Sequence, residues 1–201
     1  MSLFSRKIRI FSALVIIVAA GYIAGSKLGF SANGVPAEFK DARFQGAIVA
    51  QDIVNLTNGV PTDLEKVNQL DEQKNYGEAL NMTIDLLKRS QDVKNRAVEL
   101  SAQLEKMTGA LGSIKSDEAR QAALDSISNR LALIGRLLSY SDYLTQLLNS
   151  LNKRFVGEKL PPNQIENLIA QINAEVTAIN SFNREAGQAM DRFDNITRSS
   201  Q

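Results

Sequence analysis

Any chemistry in this chain falls to carboxylates, lysines, arginines, serines, threonines and tyrosines, because it contains no histidine and no cysteine. That absence removes thiolate nucleophiles, disulfides, attached haem, zinc sites of the usual kind and the commonest general base. Carboxylates are abundant but do not gather. No Glu-x-x-His pair exists for a di-iron site between helices. The run Asp191-Arg192-Phe193-Asp194-Asn195 lacks the glycine and the closing glutamate of a calcium loop. There is neither a phosphate-cradling glycine loop nor a nucleophile elbow. An enzyme is therefore not expected, and no cofactor or metal is implied.

Two groupings could instead recognise something. Arg130, Arg136, Tyr140 and Tyr143 fall close together, and arginine with tyrosine makes a reasonable ligand contact between bundle helices. Tyrosine equally often sits at a core edge with its hydroxyl at the boundary. The second grouping is the run Leu131 to Leu148, apolar on more than one face. Leu133, Leu137, Tyr140, Leu144, Leu147 and Leu151 form one seam, while Leu131, Ile134, Leu138 and Leu148 lie well round the helix. So wide an arc means a centrally buried helix or one with a second contact surface. On the second reading, Leu133, Arg136, Leu137, Tyr140, Tyr143, Leu144 and Leu147 are the candidate interface for a protein partner or another copy. Three glycosylation sequons, at Asn55, Asn81 and Asn195, are weak signals, since chance matches are expected in a chain with 16 asparagines.

The elements that must position these residues are helices. Phe39, Ala42, Gly46, Val49, Ile53 and Leu56 step by three and four, which predicts a helix over 37–57. Asn58-Gly59-Val60-Pro61 should end it, and Thr62-Asp63-Leu64-Glu65 reads as a capping box for a short helix over 63–73. From Tyr76 to Leu111 the same stepping holds for five heptads, with Asn75 and Glu78 at its start. The stretch Asn75 to Leu80 resembles the turn between paired helices of a tetratricopeptide repeat. It recurs nowhere at the period of about 34 residues that such arrays need, and a capped helix start explains the same letters. Ser113 or Ser116 should cap the next helix, which runs to about Phe155 before Gly157 and Pro161-Pro162 break it. A last helix is predicted over 163–196. If the first two count as one kinked rod, short loops force four antiparallel rods, an all-α up-down-up-down four-helix bundle.

Before the bundle lies an apolar run. Arg6, Lys7 and Arg9 precede a stretch without charge from Ile10 to Ser26, rich in Ile10, Phe11, Leu14, Val15, Ile16, Ile17, Val18 and Ile23. As a helix it rises roughly 25 Å, and Leu28 to Phe30 extend it toward the ~30 Å hydrocarbon core. The expected organisation is a cytoplasmic segment 1–9, a transmembrane signal anchor 10–30, a linker 31–36 and an extracytoplasmic bundle 37–198. The basic flank puts the N-terminus inside. The rival is a cleavable signal peptide, for which Val18-Ala19-Ala20 and Ala24-Gly25-Ser26 offer small residues.

Formal net charge is +1, from 23 Lys plus Arg against 22 Asp plus Glu, so no global field collects nucleic acid. The expectation is a single-pass protein of the plasma (inner) membrane that holds lipid through its N-terminal helix. It would act as a structural, scaffolding or protein-interaction subunit of an envelope complex. The alternative is an extracytoplasmic small-ligand sensor or solute-capture subunit with no signalling domain of its own.

Overall fold

The computed structural model describes residues 34–199. Five α-helices follow in order: α1 (Ala37–Asn58), α2 (Val60–Glu72), α3 (Tyr76–Ala110), α4 (Asp117–Phe155) and α5 (Gln164–Ser199). A 3-10 turn, Leu111–Ser113, bridges α3 and α4. Among the described residues there is no strand. The anchor residues Ile10, Phe11, Leu14, Val15, Ile16, Ile17, Val18 and Ile23 lie outside the described residues. Within 34–199, no helix is long and apolar enough to cross a membrane.

Cross-helix contacts establish the topology. Asp52 of α1 pairs with Arg96 of α3 at 3.5 Å, and Asp63 of α2 with Arg89 of α3 at 2.7 Å, so α1 and α2 together run against α3. Lys94 meets Asp142 at 2.5 Å, and Thr83 hydrogen-bonds Asn152, so α3 runs against α4. Ser126 Oγ donates to the Ala186 carbonyl at 2.8 Å and Gln164 Nε2 to Ser150 Oγ at 3.1 Å, so α4 runs against α5. Four rods therefore alternate in direction, the first of them kinked. Each hairpin connection is short, and antiparallel packing of neighbours follows.

The ends of these helices have identifiable causes. Ser116 caps α4 by accepting from the Ala119 amide at 3.2 Å, with Asp117 and Glu118 in the first turn and Lys153 and Arg154 in the last. Beyond Phe155, Gly157 takes a left-handed φ of 85°, its amide reaches the Arg154 carbonyl, and the Glu158 amide reaches that of Lys153. That is the Schellman arrangement, and it halts the helix. The same pair of bonds closes α2, where Lys74 N–H reaches Asp71 and Asn75 N–H reaches Leu70, with Lys74 at φ 58°. The start of α2 differs from the expectation. The Thr62 capping box is not used; the helix opens at Val60, no side chain caps it, and Pro61 sits in the first turn. Proline has no N–H to lose and its φ suits that position, so backbone chemistry at Pro61 overrides the cap at Thr62.

The core runs the length of the bundle. Phe39, Ile53, Leu86, Leu104, Leu137 and Phe193 are each almost wholly withdrawn from water, and each such side chain contributes roughly 1.5–3 kcal/mol of transfer free energy. Val35, at the end of the expected linker, also packs into this core. One end is locked by polar as well as apolar contact. The Phe39 and Phe193 rings approach to 5.2 Å, and beside them Arg43 grips Asp194 with two parallel bonds of 2.6 and 2.8 Å. Both partners are about nine-tenths buried.

Removing one member of a buried pair strands the other charge, at a cost of about 3–5 kcal/mol, whereas an exposed pair contributes about 0–1 kcal/mol. Asp194→Ala is therefore expected to lower stability by about 3 kcal/mol or more. Asp125→Ala, which breaks the exposed pair with Arg192 at 3.0 Å, should cost under about 1 kcal/mol. Urea unfolding of both variants checks the difference.

Candidate functional site

The wide arc of α4 is turned largely into the bundle. Leu133, Leu137, Tyr140, Leu144 and Leu147 are all at most 2 % exposed, and Ile134 and Leu148 are buried with them. The reason is geometric: α4 packs on α3 along one side and on α5 along another, and two neighbours require two apolar stripes. Arg136 lies on the surface, 3.6 Å from the largely buried Glu175 of α5, and Tyr143 is half-buried against the core. Only Leu131 of the apolar run is well exposed. Nor do Arg130, Arg136, Tyr140 and Tyr143 converge on one space: Arg130 and Tyr140 are interior, Arg136 is outside, and none lines the three clefts described below.

Tyr140 is the unusual member of that set. Its hydroxyl is fully buried with no hydrogen-bond partner, as is Nε of Arg89. Loss of solvent pushes the phenol above its ordinary value of 10.0, with the Arg89 charge pulling the other way. Nearby, Ser90 Oγ donates to the Ser141 carbonyl at 3.1 Å, and its oxygen lies 3.2 Å from Thr145 Oγ1. These contacts make a polar level across the middle of the bundle, beside the α1–α2 kink.

Two of the clefts are troughs between helices with charged walls. One of about 480 Å³ runs between α1 and α3, beside Asp52, Arg96 and Glu99; another of about 510 Å³ runs between α4 and α5, beside Asp125, Glu185 and Arg192. Their charges are largely paired across or along the helices. Among the described residues, no three carboxylates gather as metal ligands.

The third cleft has a different character. At the end of the bundle remote from Arg43 and Asp194, the α4–α5 connection folds over a space of about 310 Å³ walled by Leu160, Pro161, Pro162 and Ile165. Asn163 turns the chain at φ 58° into α5. On the floor, Gln164 donates through Nε2 to Ser150 Oγ, which itself donates to the Gln146 carbonyl at 2.8 Å, so the amide is held and its Oε1 is left buried without a partner. Arg154 forms another wall while its Nη2 bonds Asp71 at 2.8 Å. Alongside stands an apolar platform: Tyr76 stacks on Phe155 with centroids 5.9 Å apart, and Val156 is 63 % exposed.

Together the tip offers proline-stiffened apolar walls, a buried and unpartnered acceptor at the floor, and a guanidinium already held in place. These groups recognise a surface; they do not pair a nucleophile with a base. In the sequence, Gly157 and Pro161-Pro162 read only as helix breakers. The available signal was Tyr76, Phe155, Val156 and Leu160 at two loops that an antiparallel bundle brings to one end.

No protein-family model, curated protein or solved structure matches this chain.

Leu147→Asp is expected to unfold the bundle, because a charge placed in the core has no partner; circular dichroism would show the helical signal lost. Tyr140→Phe removes an unpartnered polar atom and should leave stability unchanged or raised by up to about 1 kcal/mol. It should also alter the pH response. Below about pH 10 the phenol is neutral folded and unfolded, and its effect is constant. Above that, the unfolded chain ionises it while the folded chain resists, so stability falls as pH rises. Urea unfolding between pH 8 and 11, on the order of the phenol's titration range, should show a shallower decline for Tyr140→Phe than for the parent.

Proposed function

We propose that this chain is a membrane-anchored spacer and scaffold: a helical bundle held at one end by the apolar run 10–30 that carries a protein-recognition tip at the other. The carrying observation is that Tyr76, stacked on the buried Phe155, the exposed Val156 and the proline-walled cleft share one end, opposite the Phe39–Phe193 contact. The longest helix, α4, has 39 residues, so the two ends stand roughly 55–60 Å apart. A stiff rod of that length suits display of a contact surface away from the bilayer. The basic flank at Arg6, Lys7 and Arg9 supports an N-terminus in the cytoplasm and a bundle outside it. The partner is a protein with an apolar side chain for the surface formed by Tyr76 and Val156. Anchoring both partners to one membrane raises their effective concentration and lets a modest contact suffice.

The test is site-specific photo-crosslinking in membranes of the native host, with the reactive group at Val156 or, as comparison, at Leu124 on the flank of α4. A discrete protein adduct from position 156, lost on Tyr76→Asp and absent from position 124, is the expected result. Adducts from the flank alone would overturn the tip assignment. Alkaline carbonate extraction should leave the full-length chain in the membrane pellet; its release into the supernatant would remove the anchor from the proposal.

A further inference from the structure

The helix α2 differs from the other helices in how it is held. It spans only Val60–Glu72, 13 residues, and a backbone break flanks it on either side. At the first break Gly59 carries the chain at φ −87°, and Pro61 just beyond supplies no N–H. At the second, Lys74 turns left-handed, a conformation that costs a side-chain-bearing residue. A helix this short is marginal alone, so α2 persists through its packing. That packing is one stripe of four side chains, Val60, Leu64, Val67 and Leu70, directed chiefly against α3.

Two ion pairs fasten it, one near each end: Asp63 to Arg89 of α3 at 2.7 Å, and Asp71 to Arg154 of α4 at 2.8 Å. Except for Asp71, the side chains are about one-third exposed, so water competes for both pairs. The closed position also has a cost. Arg89 Nε and the Tyr140 hydroxyl are dry and unpartnered at the level of the kink, and such atoms regain hydrogen bonds when water enters. By contrast, the opposite end of the bundle is held by a bidentate pair about nine-tenths buried. Partly wet ion pairs and two backbone breaks thus coincide in α2, and the Arg89 guanidinium, whose Nε is dry, lies beside the first break.

From this we infer that α2 is a hinged strap that opens as a unit about Gly59 and the Lys74 turn, with Arg154 as the latch, while the Arg43–Asp194 end of the bundle stays closed. Arg154 is at once the latch and a wall of the tip cleft. A partner that draws on its guanidinium releases Asp71, so occupancy of the tip favours the open strap. This last consequence rests on the tip reading above; the opening itself does not.

Hydrogen exchange with mass spectrometry on the full chain tests the opening without any partner, so its outcome is independent of the crosslinking result. Amides over 63–72 should exchange faster than those over 93–107 of α3. Gly59→Ala fits the space, since an added Cβ would sit 3.5 Å from Arg89 Nη1, an ordinary contact, at a φ that alanine accepts. By stiffening the hinge it should slow exchange over 63–72 about two- to five-fold. Asp71→Asn, which weakens the latch, should speed it about two- to five-fold. Both should leave 93–107 unchanged. Equal protection of the two segments in the parent chain, or variants that shift both together, would show that α2 opens only with the whole bundle and would overturn the strap.

Discussion

The bidentate contact between Arg43 and Asp194 is the constraint on which the closed form of this bundle depends. The main packing of the molecule is between consecutive rods: the kinked α1–α2 rod on α3, α3 on α4, and α4 on α5. Such a chain of hairpins could stay splayed, with the first and last rods apart. Arg43 and Asp194 join α1 to α5 across 151 residues of sequence. The adjacent Phe39 and Phe193 rings exclude water there, and exclusion of water is what makes the pairing geometry consequential. In a dry setting two parallel N–H to oxygen bonds fix orientation as well as distance, which a lysine in the same place could not do. The closure also carries the greatest loss of chain entropy of the contacts that set the topology, so it belongs late in folding, after the local hairpins have shortened the effective loop.

How legible this was depended on whether a feature is periodic. The helices over 76–110 and 117–155 could be read closely because their apolar positions repeat over many turns and glycine, serine and proline mark their ends. The α1–α2 kink was legible in place but not in mechanism, since Thr62-Asp63-Leu64-Glu65 is a good capping pattern that one upstream proline pre-empts. The α4 arc was visible and ambiguous: a stripe broad enough for two surfaces does not say whether the second belongs to a partner or to the chain's own α5. Arg43 and Asp194 look like ordinary solvated charges when taken singly. Their one mark is that each directly follows an apolar seam residue, Ala42 and Phe193, and that mark means something only after α1 and α5 are known to meet. The tip was least legible, because its residues come from two loops and no period links them.

The polar level beside the kink raises a different question, namely why an otherwise apolar core tolerates it. Ser90, Ser141 and Thr145 set α3 and α4 in one register, because a slide of either helix by a turn would separate the Ser90 hydroxyl from the Ser141 carbonyl. A run of leucines alone would allow several near-equal registers, and directional bonds distinguish among them. The atoms left over, Arg89 Nε, Ser141 Oγ and the Tyr140 hydroxyl, are the cost of placing polar groups at that depth. Buried polar groups of this kind contribute more to uniqueness than to stability.

These two features give the bundle a gradient along its axis. At the Arg43 end one pair is dry and doubly bonded and the rods are continuous; toward the tip the first rod is broken and the ion pairs that hold its second half are partly wet. Uniform stabilisation would need the upper level to be apolar and α1 to continue unbroken through Gly59, and neither change would disturb the fold class. A rod that had only to stand upright would gain from both. A rod whose far end must adjust to what it touches would not, because local adjustment requires a segment whose opening costs less than unfolding the whole. The asymmetry between the ends is therefore the physical form that fixed placement at one end and adaptable contact at the other would take.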